Sequence, residues 1–129
     1  MLHKTKTILI NAPKDKVFGY VADIMNLPKW ANDFCQSVRR VGNDHIIQSC
    51  AGEMYFRIDS HAATGVVDLF AGPQKDMMIC WPSRVMKLAE NVSLLSITAQ
   101  PDPGSTPEQF DMETAHLEQH LDNIRKAVE

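Results

Sequence analysis

The C-terminal segment constrains the fold most. Thr106-Pro107-Glu108-Gln109 has the composition of a helix start: a capping threonine, a proline at the next position, and a glutamine three residues on that completes a capping box. Phe110, Thr114, Leu117, Leu121, Ile124 and Val128 then recur at alternating steps of four and three. This spacing predicts one continuous helix over 106–128 carrying a single apolar stripe. Glu108 near its start and Arg125 and Lys126 near its end suit the helix dipole. A helix with one apolar stripe must bury it, so the rest of the chain has to supply a surface.

That surface is predicted to be a sheet. Between Phe34 and Gln100, short apolar runs alternate with turn signals such as Gly42-Asn43-Asp44, Ala51-Gly52, Thr64-Gly65 and Ala71-Gly72-Pro73. This rhythm marks an antiparallel meander. The clearest strand covers Glu53 to Ala62, where Met54, Phe56 and Ile58 alternate with Tyr55, Arg57, Asp59 and His61. Pro82 cannot donate to a ladder, which predicts an edge, a bulge or a bend within 77–85. Ahead of the meander, Lys4 to Asn11 reads as a strand, and two short helices follow, over Pro13 to Asp23 and Leu27 to Asp33.

The 129 residues, 44% of them hydrophobic and 22% charged, suit a single globular domain, 1–129, that needs no metal or disulfide to hold it. A net charge of −3 argues against a general nucleic-acid binder. No apolar run approaches the roughly 20 residues of a membrane span. Cys35, Cys50 and Cys80 are widely spaced and odd in number, and the N-terminus has no secretory h-region, so reduced thiols in a cytoplasmic protein are expected.

The order of elements and the residues that fill it resemble the SRPBCC superfamily, which includes START lipid-transfer domains, pollen-allergen-like ligand binders and polyketide cyclases and dehydrases. The most specific piece is ILINAPKDKVFGYVADIMNLPKWANDF (Ile8 to Phe34), similar to the opening of the polyketide-cyclase-like branch. Gly65 to Asp68 (GVVD), Trp81 to Val85 (WPSRV) and Glu108 to Val128 look like an uncharacterised bacterial subgroup of it. The resemblance implies an α+β helix-grip fold: a curved antiparallel sheet of about seven strands wrapped around a long C-terminal helix, with two short helices after the first strand. It also implies an internal pocket. Function stays open, because this fold hosts catalysts, carriers and binding modules.

Three constellations are candidates for chemistry. Trp30, Phe34, Phe56, Trp81 and Leu117 are expected to line the pocket, in a chain well stocked with adaptable methionines. Asp68 and Arg84, with His61, could serve as general base and anion anchor, although the alternation of Glu53 to Ala62 puts His61 with Asp59 on a polar outer face. Glu113, His116 and His120 form E-x-x-H-x-x-x-H, but His116 lies off the apolar stripe and the order differs from known zinc motifs, so no metal is expected.

The favoured function is binding of a small hydrophobic or aromatic ligand without a cofactor. The alternative is a cyclase- or dehydratase-like enzyme that uses Asp68, Arg84 and His61 around the same pocket. Self-association into a homodimer is open, as is a protein contact through the outer sheet face.

Overall fold

The computed structural model describes residues 1–129. The chain runs β1 (Lys4–Ile10), α1 (Lys14–Ala22), a 3-10 turn (Ile24–Asn26) and α2 (Leu27–Trp30). Strands β2 (Cys35–Val41), β3 (Asp44–Ser49), β4 (Gly52–His61), β5 (Val66–Gly72), β6 (Ile79–Trp81), β7 (Ser83–Ala89) and β8 (Val92–Ala99) follow, then helices α3 (Pro107–Glu113) and α4 (Leu117–Val128).

All strand pairs are antiparallel, in the order β1-β8-β7-β5-β4-β3-β2, with β6 on β5. This is the expected helix-grip arrangement, with eight strands instead of about seven. Pro82 accounts for the extra one. It separates β6, which pairs with β5 at Leu69↔Trp81, from β7, which meets β5 only at Val66↔Arg84 and then follows β8. The second short helix ends at Trp30 rather than Asp33, and a 3-10 turn precedes it.

One expectation is overturned: 106–128 is not a continuous helix. The capping box forms as predicted, with Thr106 and Gln109 bonding reciprocally, yet the helix breaks at Thr114-Ala115-His116. Thr114 Oγ1 donates to the carbonyl of Phe110 at 2.8 Å, a back-bond that bends helices. It also accepts from Lys4 Nζ at 2.8 Å, and Lys4 pairs with Asp111 at 2.9 Å. The ammonium thus sits beside the C-terminal end of α3, where the helix dipole favours a cation.

The stripe survives the break. Phe110, Leu117, Leu121, Ile124 and Val128 are all buried and belong to one hydrophobic cluster with Ile10, Val17, Val21, Ile47, Val67, Val85, Leu95 and Ile97. Both partial helices still turn their apolar faces inward, because burial of these side chains, not unbroken backbone, drives the packing.

Candidate ligand site

Helix α4 packs against β1, α1 and α2, while α1 lies over β7, β4 and β5. The inner face of β3 is therefore covered less by helices than that of β4 or β5. Register places His45, Phe56 and Ala71 in one row across that face and Ile58, Leu69 and Trp81 in another. Phe34, Val38, Met54, Ile58, Ala71 and Trp81 are only half-buried, and all pack against the core cluster.

The five residues expected to line a ligand site all belong to the core or border it, a core that extends through the whole domain. Trp30, Phe56 and Leu117 are within the cluster, and Phe34 and Trp81 pack against it. Trp81 Nε1 donates to the carbonyl of Gln100 at 3.1 Å, so its polar edge is satisfied. Trp30 differs. It is 4% exposed, and its Nε1–H is the one buried side-chain polar atom without a hydrogen-bond partner. Leaving a buried donor unpaired costs roughly 1–3 kcal/mol. Asn123 Nδ2 donates to the Trp30 carbonyl at 3.1 Å and fixes the residue to α4.

Next to Trp30 is a group whose partnership the sequence did not reveal. The His120 ring stands edge-on to the Trp30 ring, 74° between planes and 6.1 Å between centroids. His120 Nε2 is hydrogen-bonded to a carboxylate oxygen of Asp33, and His116 Nδ1 lies 3.4 Å from the other oxygen. Partial burial pushes the Asp33 carboxyl up, but the hydrogen bond from His120 and the nearby charges of His120 and His116 outweigh it and hold the group below its ordinary value. The two histidines thus converge on a carboxylate. Glu113 sits apart, accepting from Ser105 Oγ at 3.4 Å, and burial followed by the charge of Asp102 pushes its carboxyl up.

Asp68, Arg84 and His61 lie on the opposite, convex face, because they alternate with the buried residues Val67, Leu69 and Val85. They do not share a space with the aromatic set. Arg84 Nε donates to the Thr64 carbonyl at 3.2 Å, and His61 Nδ1 is 3.0 Å from Thr64 Oγ1. Asp68 is directly across from Asp59, which pairs with Arg57, and Arg57 in turn covers the Phe70 ring at 4.2 Å. On the same face, burial and then the charges of Asp68 and Asp59 push the Cys80 thiol up.

The hollow expected between the last helix and the sheet is filled by Trp30, Phe56 and Leu117, all of them buried. Two open depressions, of about 510 and 340 Å³, lie instead around the loop Pro101–Ser105; the larger reaches Ile79 and Gln100, and the smaller reaches Gln109 and Met112. No helix is long and apolar enough to cross a membrane.

Neither a family model nor a curated protein matches the chain. Solved structures do. An uncharacterised protein from Bacillus thuringiensis is similar with a TM-score of 0.74 at 15% identity, over 98% of both chains. The Zhui aromatase/cyclase from Streptomyces has a TM-score of 0.70 at 18% identity, over 98% of this chain and 93% of its own. A START superfamily protein from Mycobacterium smegmatis also has a TM-score of 0.70, at 14% identity, over 98% and 96%. The Aha1 dimer from Colwellia psychrerythraea has a TM-score of 0.71 at 16% identity, over 100% and 97%.

Proposed function

From the helix-grip fold of the SRPBCC superfamily, which this chain shares with START-like proteins and an aromatase/cyclase, we propose that the protein binds a small hydrophobic or aromatic molecule in the cytoplasm, against its concave face. Trp30 lies at the inner end of the site, with Phe34, Phe56, Trp81 and Leu117 around the ligand. The observation that carries this reading is the unpaired Nε1–H of Trp30, a member of the hydrophobic core. A buried donor without an acceptor favours any ligand that brings one. The half-buried row of Val38, Met54, Ile58 and Ala71 adds apolar surface that a ligand would cover. Because Trp30, Phe56 and Leu117 fill the interior, a ligand enters only if these side chains shift.

An environment-sensitive naphthalene dye tests the proposal. It should bind saturably at one site, and Trp30→Ala should weaken it by about tenfold or more, the factor set by roughly 1.4 kcal/mol. Dye that fails to saturate, or that binds Trp30→Ala as well as wild type, would sink the proposal.

A cyclase- or dehydratase-like reaction carried by Asp68, Arg84 and His61 is the weaker proposal. Its support is the backbone likeness to Zhui, and its three residues stand on the face away from the aromatic set. Self-association is a separate proposal, supported by the dimeric Colwellia structure; sedimentation at two protein concentrations tests it.

A further inference from the structure

We propose that Arg40 and His45 together hold an anionic head group of the ligand, so that the molecule taken up is an amphipathic acid, its carboxylate at the β2–β3 turn and its apolar body against Val38, Met54 and Phe56. This rests on the concave-face binding reading and deepens it by naming the charge that the ligand carries.

Register fixes the face on which these side chains stand. Arg40 is the cross-strand partner of His45, and His45 of Phe56. Residues directly opposite in an antiparallel ladder share a face, and Phe56 is in the core cluster, so Arg40 and His45 are on the inner face with Cβ atoms about 5 Å apart. Val38 and Met54, each opposite the buried Ile47, form the next row on that face. An apolar row thus adjoins one that ends in an imidazole and a guanidinium.

The guanidinium has no anionic partner. Arg40 Nε donates to the Gly42 carbonyl at 2.9 Å, which anchors the group to the hairpin turn and leaves its two terminal nitrogens free. Arg39, Arg57 and Arg125 are matched by Glu53, Asp59 and Asp122. The inward-facing lysines of β1, Lys4 and Lys6, are matched by Asp111 and Glu118. The remaining arginine, Arg84, is on the convex face. His45 is half-buried beside Arg40 and offers an N–H in either tautomer.

These donors define the complement. The two terminal nitrogens of a guanidinium match the two oxygens of a carboxylate, and charge strengthens both hydrogen bonds. Val38 and Met54 are half-buried, and helices cover β3 less than β4 or β5, so an apolar body placed there covers surface that the protein leaves partly to water. Five residues of β2 separate Arg40 from Cys35, a rise of about 16 Å, so a body that reaches from Arg40 to the α2 end of the strand is elongated.

The test compares pyrenebutyrate with pyrenebutanol, which share one apolar body and differ in head-group charge, by fluorescence titration of the full chain at about pH 8. Both should bind, the acid more tightly by about fivefold, the upper end for a solvent-exposed ion pair. Raising the salt from about 20 to about 500 mM should shrink that preference. Arg40→Gln should cut it to about twofold or less while pyrenebutanol binds as before, which also reports that the variant is folded. Arg84→Gln, on the other face, should leave it intact. In wild type, the His45 ring resonances should move further with pyrenebutyrate than with pyrenebutanol, a readout that needs no variant. Equal affinity for the two probes, or a preference that survives Arg40→Gln, would overturn the anionic head group and leave the binding reading standing. Failure of both probes to bind would overturn both.

Discussion

Asp33 accepts a hydrogen bond from His120, 87 residues further along the chain, and so ties the segment after α2 to the inner flank of α4. The Asp33 carboxyl is held below its ordinary value, so the folded protein keeps it ionised to a lower pH than the unfolded chain does. The stability this contributes is fully present above about pH 5 and is lost as the pH falls through about 4 and below. Asp33→Asn keeps an oxygen acceptor but removes the charge. Urea titrations should therefore show wild type more stable than the variant at pH 6, with the gap closing towards pH 2 to 3. A gap that stays constant over this range would mean that the Asp33 charge does not hold the two segments together.

The apolar stripe predicts a second outcome. Leu121 is buried in the core cluster beneath α4. Leu121→Ala should cost about 2–5 kcal/mol in denaturant titration, the usual range for truncating a buried leucine. A loss below about 1 kcal/mol would place the residue outside the cooperative core.

Gly65 joins β4 to β5 with φ +79, and a Cβ there would lie 2.0 Å from the carbonyl oxygen of Val85. The Val85 N–H donates to the Gly65 carbonyl at 2.8 Å, so the two backbones cannot easily part. Gly65→Ala should lose at least about 1–3 kcal/mol from the backbone conformation alone. Gly42→Ala shares the positive φ but meets open space, so it should be milder. Equal thermal shifts for the two variants would contradict the packing at Val85.

The convex-face residues give a negative control. Asp68→Asn and Arg84→Gln lie across the sheet from the aromatic set. Each should change dye affinity by less than about twofold, as expected for separated sites. A tenfold loss in either would move the site to the convex face and revive the enzyme reading for these residues.

Local patterns in the sequence anticipated the fold well, and contacts between distant residues explain what they did not anticipate. The stripe from Phe110 to Val128, the capping box at Thr106 and the interruption at Pro82 are all written within a few residues, and each is present. The break at Thr114 goes with side-chain bonds of Thr114 Oγ1, to the Phe110 carbonyl and from Lys4, 110 positions earlier, which helical period alone does not show. The burial of Trp30 and Phe56 was legible from size and spacing. The meeting of Asp33 with His120 was not, because Asp33 read as the end of a short helix and His120 only as part of the E-x-x-H-x-x-x-H pattern. The outward aim of His61 followed from period-2 alternation. Asp68 and Arg84 needed the register Asp59↔Asp68 and Val66↔Arg84 to be placed.

The central claim is that one apolar ligand lies against the concave face beside Trp30. Its most direct test is chemical-shift mapping of the isotopically labelled protein during a titration with 2-naphthol. The account predicts saturable shifts concentrated at the Trp30 indole and the amides of Phe34, Phe56, Trp81 and Leu117, with Asp68, Arg84 and His61 unmoved. Shifts that cluster on the convex face or around Pro101–Ser105, or none at Trp30, would contradict it.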